Sequence, residues 1–567
     1  MPVLEHLSWI DGTVVVAYML GMLILGTAFA RQSSVTEFLL ANRGMGWLPV
    51  GVSVMATLFS ANSFVFYPGE AYRTGLYVSV IVVATVVSAP IVMTWFIPYF
   101  VRSGSFTAYE MLERRFDLRV RTLAAVLFVV LRTGWMAAAT FSCSLACSVI
   151  SGTDLYLTII VLGVVTTLYT SIGGMKAVMW TDVAQFTVFV VAILGAAVVA
   201  IGGVPDGWSG TWSTYAAADK LHFFDFRLDL SIRMGTWALL IGQLVETLSA
   251  YGADQSLVQR YLSASSVRVC REAFVANVVG VLVVVPGLLI LGVALASFYR
   301  ANPEKLAGAP AEYFARVPGD LEKVPDLVAT LAARQAMTPE QWLARVPSDR
   351  RRLLAELNSL YADCPERAEK DLFQVNRQDE VMPFFVRRQM PRGLIGLVVA
   401  ALLAATMSSI SGGIHSISTC IMTDLRNRIF RSGRPADPAS DLTFARTLVF
   451  ALGLTATVLA CFVNRLGPIF DMTKKLNGAF SGPLLAMFVL AIFSRRTRAL
   501  PVLLAALLGT GVALYLTYFT KISPLWFCAF GFAVAWTLGL AGSVLTGPPV
   551  PEAAEATARG SAGGPRT

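Results

Sequence analysis

Two adjacent hydroxyl residues in an apolar stretch, Ser408 and Ser409, have the types and the spacing of a cation site. Ala405 precedes them by three and four residues, so all three share one face of a helix. Two neutral hydroxyls, with backbone carbonyls of a broken helix opposite, would surround a hard monovalent cation with oxygen alone. Because no carboxylate takes part, such a site suits sodium better than calcium, which usually recruits Asp or Glu. The alternative is that both hydroxyls donate to carbonyls four residues earlier in their own helix.

Charged residues within other apolar stretches indicate either an anionic ligand or buried ion pairs. Arg132 could bind an anion, or it could pair with Glu246 as a structural bridge. Lys474 and Lys475 also fall in a predicted span, and a buried ammonium needs a counter-charge that an anionic solute would supply. The alternative, stronger for Lys475 than for Lys474, is that these lysines extend to the membrane surface or pair with Asp471.

The composition requires that membrane helices carry these residues. The 567 residues have a mean hydropathy of +0.65 and only 14% are charged, whereas soluble domains approach about a quarter. The net charge of +9 lies mainly in short loops between apolar spans, so it indicates membrane topology and not a nucleic-acid surface. Most of the cysteines lie in apolar spans, so structural disulfides and metal clusters are not expected.

Apolar stretches of transmembrane length predict thirteen spans. They lie near residues 8–30, 47–71, 76–101, 121–151, 154–172, 176–202, 234–257, 272–298, 393–424, 443–464, 467–494, 499–520 and 523–545. The short loops predicted on one side hold far more Lys and Arg than those on the other, which places the N-terminus outside and the C-terminus in the cytoplasm. The sequence thus predicts a multi-pass protein of the cell (inner) membrane.

The predicted spans divide the chain into five parts. They are a first helix with a cytoplasmic loop (1–46), a first five-helix repeat (47–202), a second five-helix repeat (203–498), two extra C-terminal helices (499–546) and a disordered cytoplasmic tail (547–567). The second repeat contains a long external loop at 299–391, whose mixed apolar and charged stretches predict short helices that cap the outer face. The tail is rich in Pro, Ala and Gly, a composition typical of disorder.

Two spans carry small and polar residues at membrane depth, in residues 51–70 and 242–252. Backbone that interrupts a helix is tolerated there where it lines a cavity, so broken helices mark binding sites in transporters. The solute is therefore expected beside these two spans. Its candidate contacts are Ser60, Asn62 and Ser63 on the first of them, and Gln243, Glu246 and Thr247 on the second. The alternative is a pair of ordinary kinked helices packed through small residues.

Six segments in order resemble the solute:sodium symporter family. They are residues 37–47, 107–116, 169–185, 254–260, 391–419 and 482–488, of which Asp254-Gln-Ser-Leu-Val-Gln-Arg260 closes the second interrupted span. The stretch Pro68 to Gly75 and the number of spans are most similar to the branch of iodide, monocarboxylate and multivitamin transporters. The resemblance implies a LeuT-type fold with a 5+5 inverted repeat, coupling to Na+ and alternating access.

The resemblance also implies which residues bind sodium. The family's principal site corresponds to the carbonyls of Ala56, Phe59 and Ala405 and the hydroxyls of Ser408 and Ser409.

A second ion is implied by some relatives only. There, an acid that matches Asp182 helps to bind a second sodium with hydroxyls of the ninth span, for which Ser408 and Ser411 are available here. Gly412 lacks a hydroxyl that those relatives supply. The alternative is that Asp182 pairs with Lys176 at the membrane interface.

Comparison with characterised branches of the family narrows the chemical class of the solute. Thr247 and Ser63 match sugar-contacting positions, but long amide side chains are not retained there, so a sugar is in doubt. Lys474 corresponds to a substrate-binding Gln of the sugar carriers, whereas Trp135, and not Arg132, corresponds to a carboxylate-binding Arg of sialic acid carriers. An organic anion, either a monocarboxylate or a sugar acid, is the leading hypothesis, and a neutral sugar or an amino acid is the alternative.

The sequence therefore predicts an all-α symporter that imports a small solute with Na+, with the solute, the ion and the lipid bilayer as its partners. Catalysis is not expected, because the three histidines lie far apart and form no catalytic constellation. An obligate protein partner is not expected either. One of them, His415, is interpreted as a packed core residue. The alternative of a different class is a transporter-like membrane sensor that works with a separate signalling partner.

Overall fold

The computed structural model describes residues 7–345, 350–375, 377–430, 438–463 and 469–546, with the side chains of Asp379 and of residues 469–474 left out. The described residues form helices and connecting turns, with one isolated bridge between Met45 and Ala264 and no strand among them. The predicted tail at 547–567 lies outside the described residues. An all-helical chain satisfies its backbone hydrogen bonds within each segment, as a lipid environment requires.

Ten helices precede residue 218. They are α1 (Trp9–Thr27), α2 (Val35–Leu40), α3 (Trp47–Leu58), α4 (Ala61–Thr74), α5 (Val80–Ile91), α6 (Ile97–Ser103), α7 (Ala108–Arg115), α8 (Leu118–Ser151), α9 (Leu155–Gly202) and α10 (Gly207–Ala217). A π-helical turn over Val92–Phe96 joins α5 to α6. The pair α3 and α4 bends by 61° at Phe59 and Ser60.

Fourteen further helices follow. They are α11 (Gln243–Ala253), α12 (Gln255–Leu262), α13 (Val267–Ala301), α14 (Gly308–Arg316), α15 (Pro325–Arg334), α16 (Pro339–Arg345), α17 (Arg350–Asp363), α18 (Arg367–Gln374), α19 (Val381–Gln389), α20 (Leu394–Cys420), α21 (Pro438–Ala460), α22 (Ile469–Phe493), α23 (Ala499–Phe519) and α24 (Phe527–Leu545). A π-helical turn over Ala238–Gly242 precedes α11, and a longer one over Ile421–Phe430 follows α20.

The described helices that are long and apolar enough to cross a membrane number fewer than the predicted thirteen spans. Ten described helices qualify, and the bent pair α3 and α4 makes an eleventh. The 48 residues of α9 contain a break at Gly174, where φ is 60°, which falls between two predicted spans. At about 1.5 Å per residue, α9 is about twice as long as the hydrocarbon core is thick. The other difference is α11, whose 11 residues are too few to qualify.

The buried centre of the molecule is α20. Of its span, 89% is buried, compared with 28% for α1 and 33% for α24. It packs against α9, α8 and α1, and also touches α3 and α4. Its many Ala, Ser and Gly residues allow this close approach, because packing between helices in lipid favours small side chains. The hydroxyl pair Ser408 and Ser409 is thereby held at 0% exposure in the core.

The long loop forms six short helices, α14 to α19, as its mixed stretches predict. It contacts the second half of the bent pair, because Gln378 Nε2 donates to Glu70 Oε1 on α4 at 2.9 Å. Arg233 also pairs with that Glu70 oxygen at 2.8 Å. The loop is therefore attached to the helix whose other end forms the break at Phe59 and Ser60.

Candidate ion and solute site

The break between α3 and α4 exposes backbone oxygen inside the bundle. Phe59 and Ser60 have extended backbone, with ψ of 135° and 177°. The last carbonyls of α3 therefore have no helical partner and carry the negative end of the helix dipole. Ser60 and Ser63 form a capping box at the start of α4, so their side chains also satisfy the backbone on the other side of the break.

Ser409 on α20 faces this break. Its Oγ lies 3.2 Å from the carbonyl oxygen of Phe59, 3.5 Å from that of Thr57 and 3.2 Å from that of Ala405 in its own helix. One hydroxyl proton cannot satisfy three carbonyl oxygens, so the cluster holds more acceptors than donors. Such a set of neutral oxygens suits a hard cation.

The structure thus brings together Phe59, Ala405 and Ser409 of the predicted sodium ligands, and adds Thr57. Ala56 is buried on the last turn of α3, one residue before Thr57. Ser408 differs from the expectation, because its hydroxyl donates to Asp182 Oδ1 at 2.7 Å. That hydroxyl therefore belongs to a second polar cluster.

Asp182 is the centre of the second cluster, and the alternative that it pairs with Lys176 is wrong. Its Oδ2 accepts from Arg260 Nη2 at 3.1 Å and from the hydroxyl of Ser53, while Lys176 pairs instead with Glu37 at 2.9 Å. Both Asp182 and Arg260 are at most 1% exposed. A carboxylate without water around it needs such a partner, and the guanidinium supplies it.

Gly412 makes room for this ion pair. A side chain there would place its Cβ 2.5 Å from Arg260 Nη2. Ser411, the other candidate ligand for a second sodium, donates its hydroxyl to the carbonyl of Ser408 at 3.0 Å. The position where a hydroxyl is expected for a second ion is thus next to a resident guanidinium.

A cavity of about 260 Å³ lies beside both interrupted helices. Seven predicted solute contacts line it, namely Ser60, Asn62, Ser63, Arg132, Gln243, Glu246 and Thr247. Thr57 and Phe59 line it too, so the cavity adjoins the oxygen cluster around Ser409. The eighth predicted contact, Lys474, has its side chain outside the described residues.

Arg132 does not form the structural bridge to Glu246 that the sequence suggests as an alternative. Its Nη1 lies 3.5 Å from Asp254 Oδ2, and its guanidinium lies over the ring of Trp135 at 4.5 Å. Glu246 instead accepts from Asn477 Nδ2 at 3.1 Å. Of the described side chains around the cavity, Arg132 is the one cation.

His415 is a fully buried core residue, as expected, with both ring nitrogens engaged. Nε2 lies 3.0 Å from the carbonyl oxygen of Phe38, so this nitrogen carries the proton. Nδ1 then accepts from Gln259 Nε2 at 3.1 Å. The imidazole therefore links α2, α12 and α20 in its neutral form.

A second, larger cavity of about 580 Å³ adjoins the first on the side of the long loop. Asn62 and Phe66 line both cavities, and the loop contributes Arg377 and Gln378 to the second. The opposite side of the central cavity is closed by α12, which carries the Arg260 and Gln259 contacts. The central cavity thus adjoins the larger cavity on the side of the long loop and the contacts of α12 on the other side.

Sequence reasoning missed several residues of this site. Thr57 carries no distinctive side-chain signal, because it contributes a carbonyl. Ser53 and Arg260 meet Asp182 only through the fold. The family-like motif at residues 254–260 begins with Asp254 and ends with Arg260. Its two charged ends could have indicated Asp254 as the partner of Arg132 and Arg260 as the partner of Asp182.

The chain is similar to known transporters. A model of the sodium:solute symporter family matches residues 38–336 and 363–509. The sodium/sialic acid symporter NanT of Aliivibrio fischeri is 27% identical over 536 residues, covering 92% of this chain and 90% of that protein. Human sodium-coupled monocarboxylate transporter 1 is 26% identical over 523 residues, covering 90% and 73%.

A solved structure gives the fold. The substrate-bound outward-open state of a Na+-coupled sialic acid symporter aligns with a TM-score of 0.78, covering 95% of this chain and 99% of that one at 23% identity. At this identity the likeness shows a shared fold alone, which is the LeuT-type fold that the resemblance implies.

We expect Ser409→Ala to weaken sodium binding by about tenfold, because it removes one oxygen ligand and its orientation of the carbonyls. Sodium titrations of the purified protein against potassium, followed by tryptophan fluorescence, measure the effect. Ser418→Ala is the matched control, since this buried hydroxyl of the same helix donates to Ala445 on α21. Unchanged sodium affinity in Ser409→Ala would place the ion elsewhere.

We expect Asp182→Asn and Arg260→Gln each to cost about 3–5 kcal/mol of unfolding free energy, because each leaves a buried charge without its partner. The double variant should lose less than the sum of the two, as groups in direct contact do not add. Equilibrium unfolding in mixed micelles measures all three. Additive losses would mean that the two charges are not coupled.

Proposed function

The chain belongs to the sodium:solute symporter family, and we propose that it imports a small organic anion together with one sodium ion. One observation carries the proposal. Thr57 and Phe59, whose carbonyl oxygens lie within 3.5 Å of the Ser409 hydroxyl, line the same cavity as Arg132. A cation and an anion could therefore bind side by side within the membrane-embedded part of the molecule.

Sodium is proposed to bind between Phe59, Thr57, Ala405 and Ser409, with Ala56 as a further carbonyl donor. An ion there would tie the break in the first interrupted helix to α20. Binding would favour the arrangement described above, in which the ligands from both elements lie together. The solute would bind next, and both would leave after the opposite side opens.

A single ion is proposed because Asp182 already has a cation. Arg260 contacts its carboxylate at 3.1 Å, so a second sodium at Asp182, Ser408 and Ser411 is not needed to neutralise it. A guanidinium and a sodium ion in one buried site would also repel each other.

The anionic class of solute is proposed from the unsatisfied donors of Arg132. Its Nε and Nη2 have no hydrogen-bond partner among the described residues, although both are buried. A guanidinium binds a carboxylate through two parallel hydrogen bonds, and a buried donor without a partner is costly. Two relatives are named for acids, sialic acid and monocarboxylates, which supports the same class.

The membrane orientation is part of the proposal. The charge of the short loops places the N-terminus outside and the C-terminus in the cytoplasm of a cell (inner) membrane. The larger cavity beneath the long loop would then be an external vestibule through which the solute enters.

We expect Arg132→Gln to reduce sodium-driven uptake of an acid by about tenfold or more at low concentration, because a charged hydrogen bond is worth about 1.5–3 kcal/mol. Uptake of labelled sialic acid and of lactate into proteoliposomes measures it. Lactamide, which has no charge, tests whether the carboxylate is required.

Arg268→Gln is the control, since Arg268 is an exposed residue paired with Glu272. Equal uptake by Arg132→Gln and the control would show that Arg132 does not bind the solute. Sodium-driven uptake of a neutral sugar or an amino acid in place of either acid would replace the proposed solute class.

One sodium with one monoanion carries no net charge, so membrane potential should not drive uptake. A potassium diffusion potential of about −100 mV, imposed with valinomycin, should change the steady-state accumulation less than twofold. Each uncompensated charge would be worth about 2.3 kcal/mol, or about 50-fold. A rise of that size would establish a second sodium.

A further inference from the structure

We propose that Asp254 is a positioning residue that holds Arg132 until the carboxylate of the solute takes over the guanidinium, and that this exchange loosens the seal on the far side of the cavity. The inference rests on the proposed function, because it requires an anionic solute. It assigns a role to the break in the second interrupted helix.

The bond between Arg132 and Asp254 is weak for a buried ion pair. Their closest approach is 3.5 Å, whereas a charged hydrogen bond between nitrogen and oxygen normally measures about 2.7–2.9 Å. Only Nη1 takes part, while Nε and Nη2 have no partner among the described residues. The side chain of Arg132 is 9% exposed, so water cannot fully compensate. A carboxylate that reached Nε and Nη2 would make the better pair.

Trp135 limits the direction of approach. Its ring covers one face of the guanidinium, with the charge 4.5 Å from the ring centre. The guanidinium is thereby held flat, with its hydrogen-bonding edge in the plane that a carboxylate needs. Both residues line the central cavity, so an entering solute comes next to the guanidinium. Its Nε and Nη2 are buried, so the side chain would have to turn towards the cavity to bind a carboxylate through them.

Asp254 has two separate tasks. It lies in the break between α11 and α12, with extended backbone at ψ of 115°. Its Oδ1 accepts from the backbone N–H of Ser256 at 2.7 Å and caps α12, while Oδ2 faces Arg132. If a solute neutralises Arg132, Asp254 keeps the cap and loses the cation that fixes its position.

The start of α12 is connected directly to the seal. Gln255 accepts from the backbone N–H of Ala108 at 2.8 Å, and Gln259 donates to the carbonyl of Leu39 at 2.7 Å. Arg260, at the other end of this short helix, holds Asp182. Asp254 caps this helix of eight residues, so a shift of the cap would move the helix and its contacts, and release of Asp254 would weaken the closed side.

Asp254→Asn separates the two tasks, because an amide oxygen can still cap Ser256 but cannot pair with Arg132. In sodium, we expect the backbone amides of α12 to exchange with deuterium about fivefold faster than in the unchanged protein, and Arg132→Gln to give the same rise. The apparent KM for the transported acid, sialic acid or lactate, should fall about fivefold in Asp254→Asn, because a competitor for Arg132 is gone.

Asp154→Asn is the matched control, since Asp154 caps α9 at Leu157 and faces no cation among the described residues. It should leave both quantities unchanged, and Asp254→Ala should add the loss of the cap. If Asp254 has a purely structural role, Asp254→Asn should lower turnover without lowering KM.

The possible failures are distinct. If the unchanged protein transports sialic acid or lactate and Asp254→Asn alters neither the exchange of α12 nor KM, the positioning role is wrong and the proposed function stands. If the unchanged protein transports no acid, the proposed function is wrong, and so is the proposal that a solute carboxylate replaces Asp254 at Arg132.

Discussion

Backbone carbonyls inside a membrane protein must find partners, and the break at Phe59 and Ser60 creates several that the helix itself cannot satisfy. The chain meets this requirement from α20, whose Ser409 hydroxyl lies within 3.5 Å of three carbonyl oxygens. One proton among three acceptors leaves the set short of positive charge. A cation would balance this excess of acceptors, and the sodium site is proposed at the break for that reason.

The same constraint governs the buried charges. A charge that leaves water needs a partner of opposite sign, and the chain pairs Asp182 with Arg260 and Arg132 with Asp254. The two pairs are of different quality. The first is closed by hydroxyls from Ser53 and Ser408, whereas the second leaves two donors of Arg132 without a partner in the part of the chain that the structure describes. The satisfied pair suits a structural role, and the deficient pair suits a site that awaits a ligand.

The sequence allows some of this to be predicted because the relevant signals are local. Small and polar residues in residues 51–70 indicate the first break, and the spacing of Ala405 and Ser409 places them on one face. Partner choice is not local. Asp182 lies near Lys176 in the sequence, yet it pairs with Arg260 because a bend at Gly174 and the packing of α12 against α3 bring those residues together. Arg132 and Asp254 are likewise distant in the sequence and meet only in the folded chain.

The number of spans shows a further limit of hydropathy. At α9 the apolar runs predict two spans, 154–172 and 176–202, and the positive φ of Gly174 places the interruption between them. At α11 the apolar run predicts a full span over 234–257, whereas the structure has an 11-residue helix that ends before Asp254. The end of α11 lies next to one of the buried ion pairs, because Asp254 follows it directly and pairs with Arg132. The break in the second interrupted helix thus supplies a charged group beside the cavity, as broken helices do in transporters.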